Sequence, residues 1–208
     1  MLFRSLGLAL LLAARFVYPW TPPWLPPNLA HLPTLLLVLP GVSLVLHFGL
    51  FNVLAGLWRL AGVDCRPLFR APLRATSLGE FWGRRWNLGF SEMTAVAVYR
   101  PLLGVLGKGG ATVAAFLFSG LLHELAISLP VKAGFGLPLL YFALHGGLVW
   151  LERGLARAGC PVDRVKWLGH VWTLAWLALP LPILFHPAFR DAVLWPLLGL
   201  AAGPAEHT

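Results

Sequence analysis

Residues 77–87 read SLGEFWGRRWN, and residues 116–125 read FLFSGLLHEL. The first stretch is aromatic, basic and polar, whereas most of the chain is hydrocarbon. The second places His123 and Glu124 inside an apolar run that is long enough to cross a bilayer. Ionisable side chains are costly at that depth, so they face a protein interior or a water-filled cavity. We therefore interpret the two stretches as the two halves of one functional site.

The composition is that of a membrane protein. Hydrophobic residues make up 58% of the 208 positions and charged residues only 12%, with a mean hydropathy of +0.76. A soluble domain carries about 25% charged residues, because it needs polar side chains to cover its surface. The prediction is an all-α integral membrane protein, a single transmembrane domain over residues 1–208. It is a bundle of about five or six spans, with short amphipathic helices on the cytoplasmic side.

Apolar runs predict the helices of this bundle. The runs cover residues 2–17, 32–60, 111–129, 137–151, 167–185 and, as a shorter segment, 192–202. Residues 2–17 also resemble a signal peptide, but YPWTPPWLPP at 18–27 offers no small-residue cleavage site, which favours a retained helix. The prolines of that segment predict an interfacial loop. A structural role is the first interpretation of His47 and Asn52, within the second run.

The net charge of +8 is explained by topology rather than by nucleic acid. Cytoplasmic loops of membrane proteins carry an excess of Lys and Arg. Basic residues cluster at Arg59, Arg66, Arg70, Arg74, Arg84, Arg85, Arg100 and Lys108, and again at Arg153, Arg157, Arg164 and Lys166. The opposite loops hold only Lys132 and Arg190, with Arg15 near that end of the first helix. The N-terminus and the 59–110 region are therefore predicted to be cytoplasmic, in a multi-pass protein.

Local patterns refine the region of the first basic cluster. Ser77 followed by Glu80 fits a capping box, which predicts a helix that starts at Ser77 and continues through Asn87. Prolines 67, 72 and 101 are expected to break this region into short helices. Cys65 and Cys160 lack metal-ligand spacing, so we interpret both as structural thiols on the cytoplasmic side. No metal site is predicted.

The residue types suggest a chemistry. Desolvation disfavours a charged imidazole deep in an apolar helix, and a neutral imidazole can act as a general base. An asparagine amide can orient a reacting group or stabilise an oxyanion, and arginines at the cytoplasmic mouth suit a phosphate-bearing cosubstrate. Together these features describe acyl transfer from a nucleotide-linked thioester. The alternatives are a structural histidine and a basic loop that reflects topology alone.

The same stretches resemble the plant-type wax synthase branch of the membrane-bound O-acyltransferases. SLGEFWGRRWN is followed by VYRPL at 98–102 and by FSGLLHEL at 118–125. PLFRAPLRATS at 67–77 also fits, and FALHGG at 142–147 is similar to the next helix of that family. The resemblance covers residues 67–152, which we take as the catalytic core.

The resemblance implies transfer of a fatty acyl group from acyl-CoA to a long-chain alcohol or another lipid hydroxyl. The catalytic histidine and asparagine of the family correspond to His123 and Asn87. By that analogy His123 removes the alcohol proton while Asn87 orients a reacting group. The further candidates for substrate binding are Arg84, Arg85, Trp82, Trp86, Ser119, Glu124 and His145. Packing is the alternative for the two tryptophans, phospholipid anchoring for the two arginines, and a structural hydrogen bond for Glu124.

The expected partners are acyl-CoA as cosubstrate, a lipid alcohol and membrane lipids, with no other cofactor. Family members are usually longer, so a chain of this length is a compact variant, a truncated product or a protein that closes its tunnel as a homo-oligomer. Two other classes of function stay open: a transporter with histidines along a polar path, and a catalytically inactive scaffold with the same fold.

Overall fold

The computed structural model describes residues 2–20, 24–25, 31–63 and 67–200. Every regular element in these ranges is helical, which confirms the all-α prediction. Cys65 and half of the proline-rich loop at 18–27 lie outside the described residues, as do the side chains of His47 and Asn52. The chain divides into two compact units, residues 1–66 with 194–208 and residues 67–193. The single transmembrane domain stays a prediction.

The helices follow one another with few breaks. In chain order they are α1 (Leu2–Val17), α2 (Leu32–Val45), α3 (Phe51–Leu60), α4 (Leu78–Glu80), α5 (Leu88–Thr94), α6 (Arg100–His123), α7 (Leu129–Val131), α8 (Leu137–Arg157), α9 (Lys166–Ala178), α10 (Leu181–Leu184), α11 (Pro187–Phe189) and α12 (Trp195–Leu197). Five-residue π-helical turns join several neighbours: Leu46–Leu50, Phe81–Arg85, Ala95–Tyr99, Glu124–Ser128 and Arg190–Leu194.

The first unit confirms the two N-terminal helices. The π-helical turn Leu46–Leu50 joins α2 to α3, so helix runs from residue 32 to residue 60 with Pro40 inside it. The core of this unit consists of Ala14, Leu35, Val38, Leu194 and Trp195, all of which are buried. Burial of these apolar side chains is the main stabilisation of a helix pair.

The second unit is built on the close packing of α6 against α8. A Cβ atom added at Gly120 would lie 2.9 Å from the Cα of Leu139, so only glycine allows this approach of the two backbones. Phe116 of α6 packs in the same way against Gly146 of α8. The predicted helix at 137–151 is confirmed, although it continues to Arg157.

Two helical stretches among the described residues are long and apolar enough to cross a membrane. They are Leu88–Val131 and Lys166–Leu184. The first contains the predicted span 111–129, and the second contains most of the predicted span 167–185. The helix α8 is not one of the two, because polar and charged residues occupy its C-terminal third.

The region before α6 differs from the expectation at two points. Pro101 does not break the helix: it lies inside the helical stretch Leu88–Val131, directly after the π-helical turn Ala95–Tyr99. The irregular residue is Gly107, with φ 63° and ψ 178°, a conformation that a side chain would strain. The predicted helix at 77–87 ends at Arg85. Trp86 is extended and Asn87 is left-handed, so both lie beyond its end.

Candidate functional site

The stretch 77–87, called the FWGRRWN motif below, begins with a capped helical turn. The Oγ of Ser77 accepts a hydrogen bond from the amide of Glu80 at 3.1 Å, which confirms the predicted N-cap. The carboxylate of Glu80 does not return to Ser77 as in a capping box. Its Oε2 accepts instead from the backbone N–H and the hydroxyl of Thr76, at 2.9 and 3.2 Å. The turn is thereby stabilised one residue further upstream.

Glu152 of α8 holds the same turn from the other side. Its buried carboxylate accepts from the amides of Leu78 and Gly79 at 2.7 and 2.8 Å. The indole N–H of Trp172 donates to Oε1 at 2.9 Å. Amides in the first turn of a helix lack intrahelical partners and favour negative charge. Sequence reasoning missed this role, and the available signal was one carboxylate directly after the apolar run 137–151.

Arg85 and Arg84 have different surroundings. Arg85 donates to Oε1 of Glu80 through its Nε at 2.8 Å and a terminal nitrogen at 2.7 Å. Its other terminal nitrogen donates to the carbonyls of Arg70 and Ala71, at 3.1 and 3.2 Å. Arg85 therefore stabilises the motif itself. Arg84 is exposed, and within the described part of the chain it makes no hydrogen bond or ion pair.

These contacts set the ionisation of Glu80. Partial burial would raise the pKa of this carboxyl. The hydrogen bonds from the Thr76 amide and from Arg85, together with the guanidinium charge, outweigh that effect and hold the pKa below its usual value. Glu80 is therefore the anionic centre of the turn at neutral pH.

The end of the motif presents Trp86 and Asn87. Trp86 stacks on Phe81, with ring centroids 5.3 Å apart and planes 18° from parallel, and meets Phe69 edge-on at 5.1 Å. Asn87 adopts φ 42° and ψ 61°, a left-handed conformation that asparagine tolerates better than most residues. Its Oδ1 accepts from the amide of Phe90 at 3.4 Å and caps α5. This bond leaves the amide NH2 group as a donor.

Trp82 inserts between α6 and α8. Its ring meets Phe116 of α6 at 6.1 Å, and Phe142 and His145 of α8 at 5.8 and 5.6 Å. Its carbonyl accepts from the hydroxyl of Ser91 at 2.9 Å. These contacts are packing contacts, the alternative that the sequence left open for this residue. Trp82 thereby joins the FWGRRWN motif to the two long helices.

His123 lies at the end of α6. Its Nδ1 is 2.7 Å from the carbonyl oxygen of Ser119, one turn earlier. Because a carbonyl only accepts, Nδ1 carries the proton and Nε2 carries the lone pair. The ring lies 4.2 Å from that of Phe142. The helix thus supplies an imidazole whose Nε2 can accept a proton.

The neighbours of His123 shape the helix around it. Ser119 is buried, and its carbonyl rather than its hydroxyl fixes the ring. Glu124 accepts through Oε1 from the amides of Gly136 and Leu139, at 2.9 and 3.0 Å, so it caps the N-terminus of α8. This is a structural hydrogen-bond role of the kind expected for Glu124.

His145 is fully buried at 0% exposure. Its Nδ1 is 2.8 Å from the carbonyl oxygen of Tyr141, and its ring lies 4.2 Å from that of Tyr141. Its Nε2 and the Nε1 of Trp82 are both buried without a hydrogen-bond partner. His145 therefore repeats the arrangement of His123 on the facing helix.

The structure connects the two halves of the predicted site through aromatic side chains. Trp82 contacts Phe142, and Phe142 contacts His123. No hydrogen bond joins Asn87 to His123, whose polar contacts are those given above. Direct cooperation of this pair stays a prediction. Among the described residues no group of His, Cys, Asp and Glu side chains is arranged to hold a metal ion.

Comparisons with known proteins find one matching family model and several acyltransferase relatives. Residues 65–144 match the Membrane bound O-acyl transferase family. The chain is 35% identical over 136 residues to a long-chain-alcohol O-fatty-acyltransferase of Simmondsia chinensis, covering 57% of this chain and 39% of that protein. It is 34% identical over 168 residues to the probable long-chain-alcohol O-fatty-acyltransferase 6 of Arabidopsis thaliana, covering 67% of this chain and 49% of that protein.

A third relative broadens the range of acceptors. The acyl-CoA–sterol O-acyltransferase 1 of Arabidopsis thaliana is 35% identical over 99 residues, covering 42% of this chain and 29% of that protein. The aligned part spans less than half the length of each of these relatives. No solved structure matches the chain.

Proposed function

We propose that the chain esterifies lipid alcohols, because residues 65–144 match the membrane bound O-acyl transferase family. The reaction moves a fatty acyl group from acyl-CoA to the hydroxyl of a long-chain alcohol, as in wax ester synthesis. The names of the two long-chain-alcohol relatives support this acceptor. The sterol acyltransferase among the relatives keeps other hydroxyl lipids within the same proposal.

One observation carries the mechanism: the bond from Nδ1 of His123 to the Ser119 carbonyl leaves Nε2 as the proton acceptor. In the proposed reaction Nε2 takes the alcohol proton as the oxygen attacks the thioester carbonyl. The carbon–sulfur bond then breaks, and the proton passes to the departing CoA thiolate. The family correspondence of His123 supports this assignment.

Asn87 supports the same step as a hydrogen-bond donor. Its Oδ1 is engaged with Phe90, so its NH2 group is free to donate to the oxygen that becomes negative during attack. The left-handed backbone places Asn87 beyond the end of the motif helix, at the N-cap of α5. Pairing of Asn87 with His123 across one cavity is part of the proposal.

The phosphates of acyl-CoA require a cation that is not already paired. Arg85 is engaged with Glu80 and two carbonyls, whereas Arg84 is exposed. We assign the phosphate contact to Arg84 and the shaping of the motif to Arg85. The proposal places both in the cytoplasm, with the N-terminus and the region 59–110, in a bundle of about five or six spans.

The direct test uses membranes that contain the protein. Labelled acyl-CoA and a long-chain alcohol should give labelled ester, and His123→Ala should abolish its formation. His170→Ala is the matched control, because His170 also contacts a carbonyl, that of Ala75 at 2.9 Å, but lies on α9. Undiminished turnover in His123→Ala would overturn the mechanism.

Two other outcomes would point to other functions. Substrate flux across liposomes without ester formation would favour a transporter. Failure to bind a CoA thioester at all would favour an inactive scaffold. Activity that appears only above a threshold protein concentration would indicate a homo-oligomer.

A further inference from the structure

The rings of Trp82 and His145 each carry a buried polar atom that makes no hydrogen bond within the described part of the chain. The Nε1 of Trp82 and the Nε2 of His145 are buried and lack hydrogen-bond partners. Buried polar groups are almost always paired, because leaving one without a partner forfeits its hydration. A pair of such atoms on adjacent rings therefore needs an explanation.

Their chemistry is complementary. The Nδ1 of His145 lies 2.8 Å from the Tyr141 carbonyl and must carry the ring proton, so Nε2 offers a lone pair. The Nε1 of an indole is a donor only. The Trp176 carbonyl also lies near His145, but Nε2 makes no hydrogen bond of acceptable geometry with it, and a carbonyl has no proton to donate to the Nε2 lone pair. Trp82 is the neighbour that can donate one.

The ring geometry allows the contact. The two centroids are 5.6 Å apart, and the planes are 84° from parallel, so one ring presents its edge to the other. Phe116 and Phe142 contact the Trp82 ring at 6.1 and 5.8 Å and confine it. The two rings are therefore held edge to face within one aromatic cluster.

We propose that the indole N–H of Trp82 donates to Nε2 of His145, and that this pair positions the FWGRRWN motif against the helix that carries His123. Trp82 lies five residues before Asn87 in the same motif. Its ring also touches Phe142, which packs against His123. The pair thus fixes the position of the FWGRRWN motif relative to the helix that carries His123. His145 is therefore a positioning residue. The inference rests on the proposed function.

The test is a double-mutant cycle on ester formation. Trp82→Phe keeps an aromatic ring but removes the donor, and His145→Phe removes the acceptor. Each should lower kcat roughly tenfold, the effect of one lost buried hydrogen bond, with little change in KM for acyl-CoA. The double variant should be no slower than the slower single variant, because the second change removes nothing further.

Two controls separate positioning from general damage. His145→Gln keeps an acceptor and should restore most of the rate lost in His145→Phe. Trp167→Phe makes the same substitution on the exposed face of α9 and should leave kcat unchanged. Additive losses in the double variant, or equal rates for His145→Gln and His145→Phe, would overturn the proposal.

A measurement without catalysis keeps the pair testable by itself. In 15N-tryptophan-labelled protein, the indole resonance that disappears in Trp82→Phe belongs to Trp82. It should shift upfield in His145→Phe, and its hydrogen should exchange faster with solvent, whereas His145→Gln should keep most of the shift and protection because glutamine retains an acceptor. An unchanged resonance in His145→Phe would rule out the bond. If the wild-type protein forms no ester, the proposed function fails, but the NMR measurement still shows whether Trp82 and His145 are hydrogen-bonded.

Discussion

At the scale of single residues, Asn87 combines two tasks that substitutions can separate. Its backbone is left-handed, and its Oδ1 caps α5. Glycine also suits a left-handed N-cap position but carries no amide side chain. We therefore expect Asn87→Gly to fold normally and to lose activity by roughly 10²-fold, the usual cost of one oxyanion donor.

Asn87→Ala should lose the same activity and also about 1 kcal/mol of stability, because alanine neither caps a helix nor favours this backbone. Thermal unfolding in detergent and ester formation measure the two effects. Full activity in Asn87→Gly would exclude the side chain from the reaction.

The two arginines of the motif should respond differently to the same change. Arg84→Gln is expected to raise KM for acyl-CoA a few-fold without changing thermal stability, because the side chain is exposed. Arg85→Gln should lower the midpoint of thermal unfolding, since it releases Glu80 and two carbonyls. Steady-state kinetics and thermal unfolding of both variants check this, and the opposite pattern would reverse the assignment.

Glu80 makes the motif sensitive to acid. Its folded pKa lies below the ordinary value of 4.5, so its contribution to stability is present above 4.5 and is lost as the pH falls through the folded value. The difference in thermal midpoint between wild type and Glu80→Gln should therefore shrink below about pH 4.5. Glu92→Gln, a change at an exposed residue, is the control. A constant difference down to pH 3 would contradict this role.

At the scale of elements, the motif turn depends on one carboxylate of α8. Glu152 accepts from two amides and one indole, and charge-assisted bonds of this kind are the strong ones. Glu152→Gln should cost about 2–3 kcal/mol of stability and should expose residues 77–87 to hydrogen exchange. Exchange mass spectrometry, with Glu92→Gln alongside, measures this local opening. If residues 77–87 of Glu152→Gln exchange as slowly as in the wild type, the contacts of Ser77 and Glu80 are sufficient to hold the turn.

Local patterns predicted some elements well and others not. The Ser77 cap is readable because its partner lies three residues away, and the helices at 32–60 and 137–151 follow from long apolar runs. The end of the motif helix at Arg85 could not be predicted, because it depends on two distant backbone hydrogen bonds. The amide of Arg70 donates to the carbonyl of Arg85, and the amide of Leu88 donates to the carbonyl of Leu68.

Long-range contacts account for the remaining differences. Glu152 caps a turn more than seventy residues earlier, at a sequence separation of 74 for Leu78. No local pattern carries that information. In the candidate site, His123 and its contact with Ser119 follow from helical spacing, whereas the place of Trp82 between α6 and α8 required the tertiary structure.

At the scale of the whole molecule, the distribution of charge predicts topology. Cys160 is exposed in the loop between α8 and α9, beside the second basic cluster. In a Cys65→Ser background, an impermeant maleimide should label Cys160 only from the cytoplasmic side. A cysteine placed at Ala133, between α7 and α8, should react only from the opposite side. Labelling of both positions from the same side would contradict the predicted orientation.

The distance in sequence between Glu152 and its amides has a consequence for biosynthesis. The FWGRRWN motif leaves the ribosome before the residue that holds it, since Glu152 follows Leu78 by 74 positions. At a translation rate of about 5–20 residues per second, Glu152 is synthesised roughly 4–15 seconds after Leu78. A nascent chain stalled before residue 152 would contain the motif without the hydrogen bonds to the Glu152 carboxylate. The hydrogen bonds between Glu152 and the motif therefore form only after α8 has emerged.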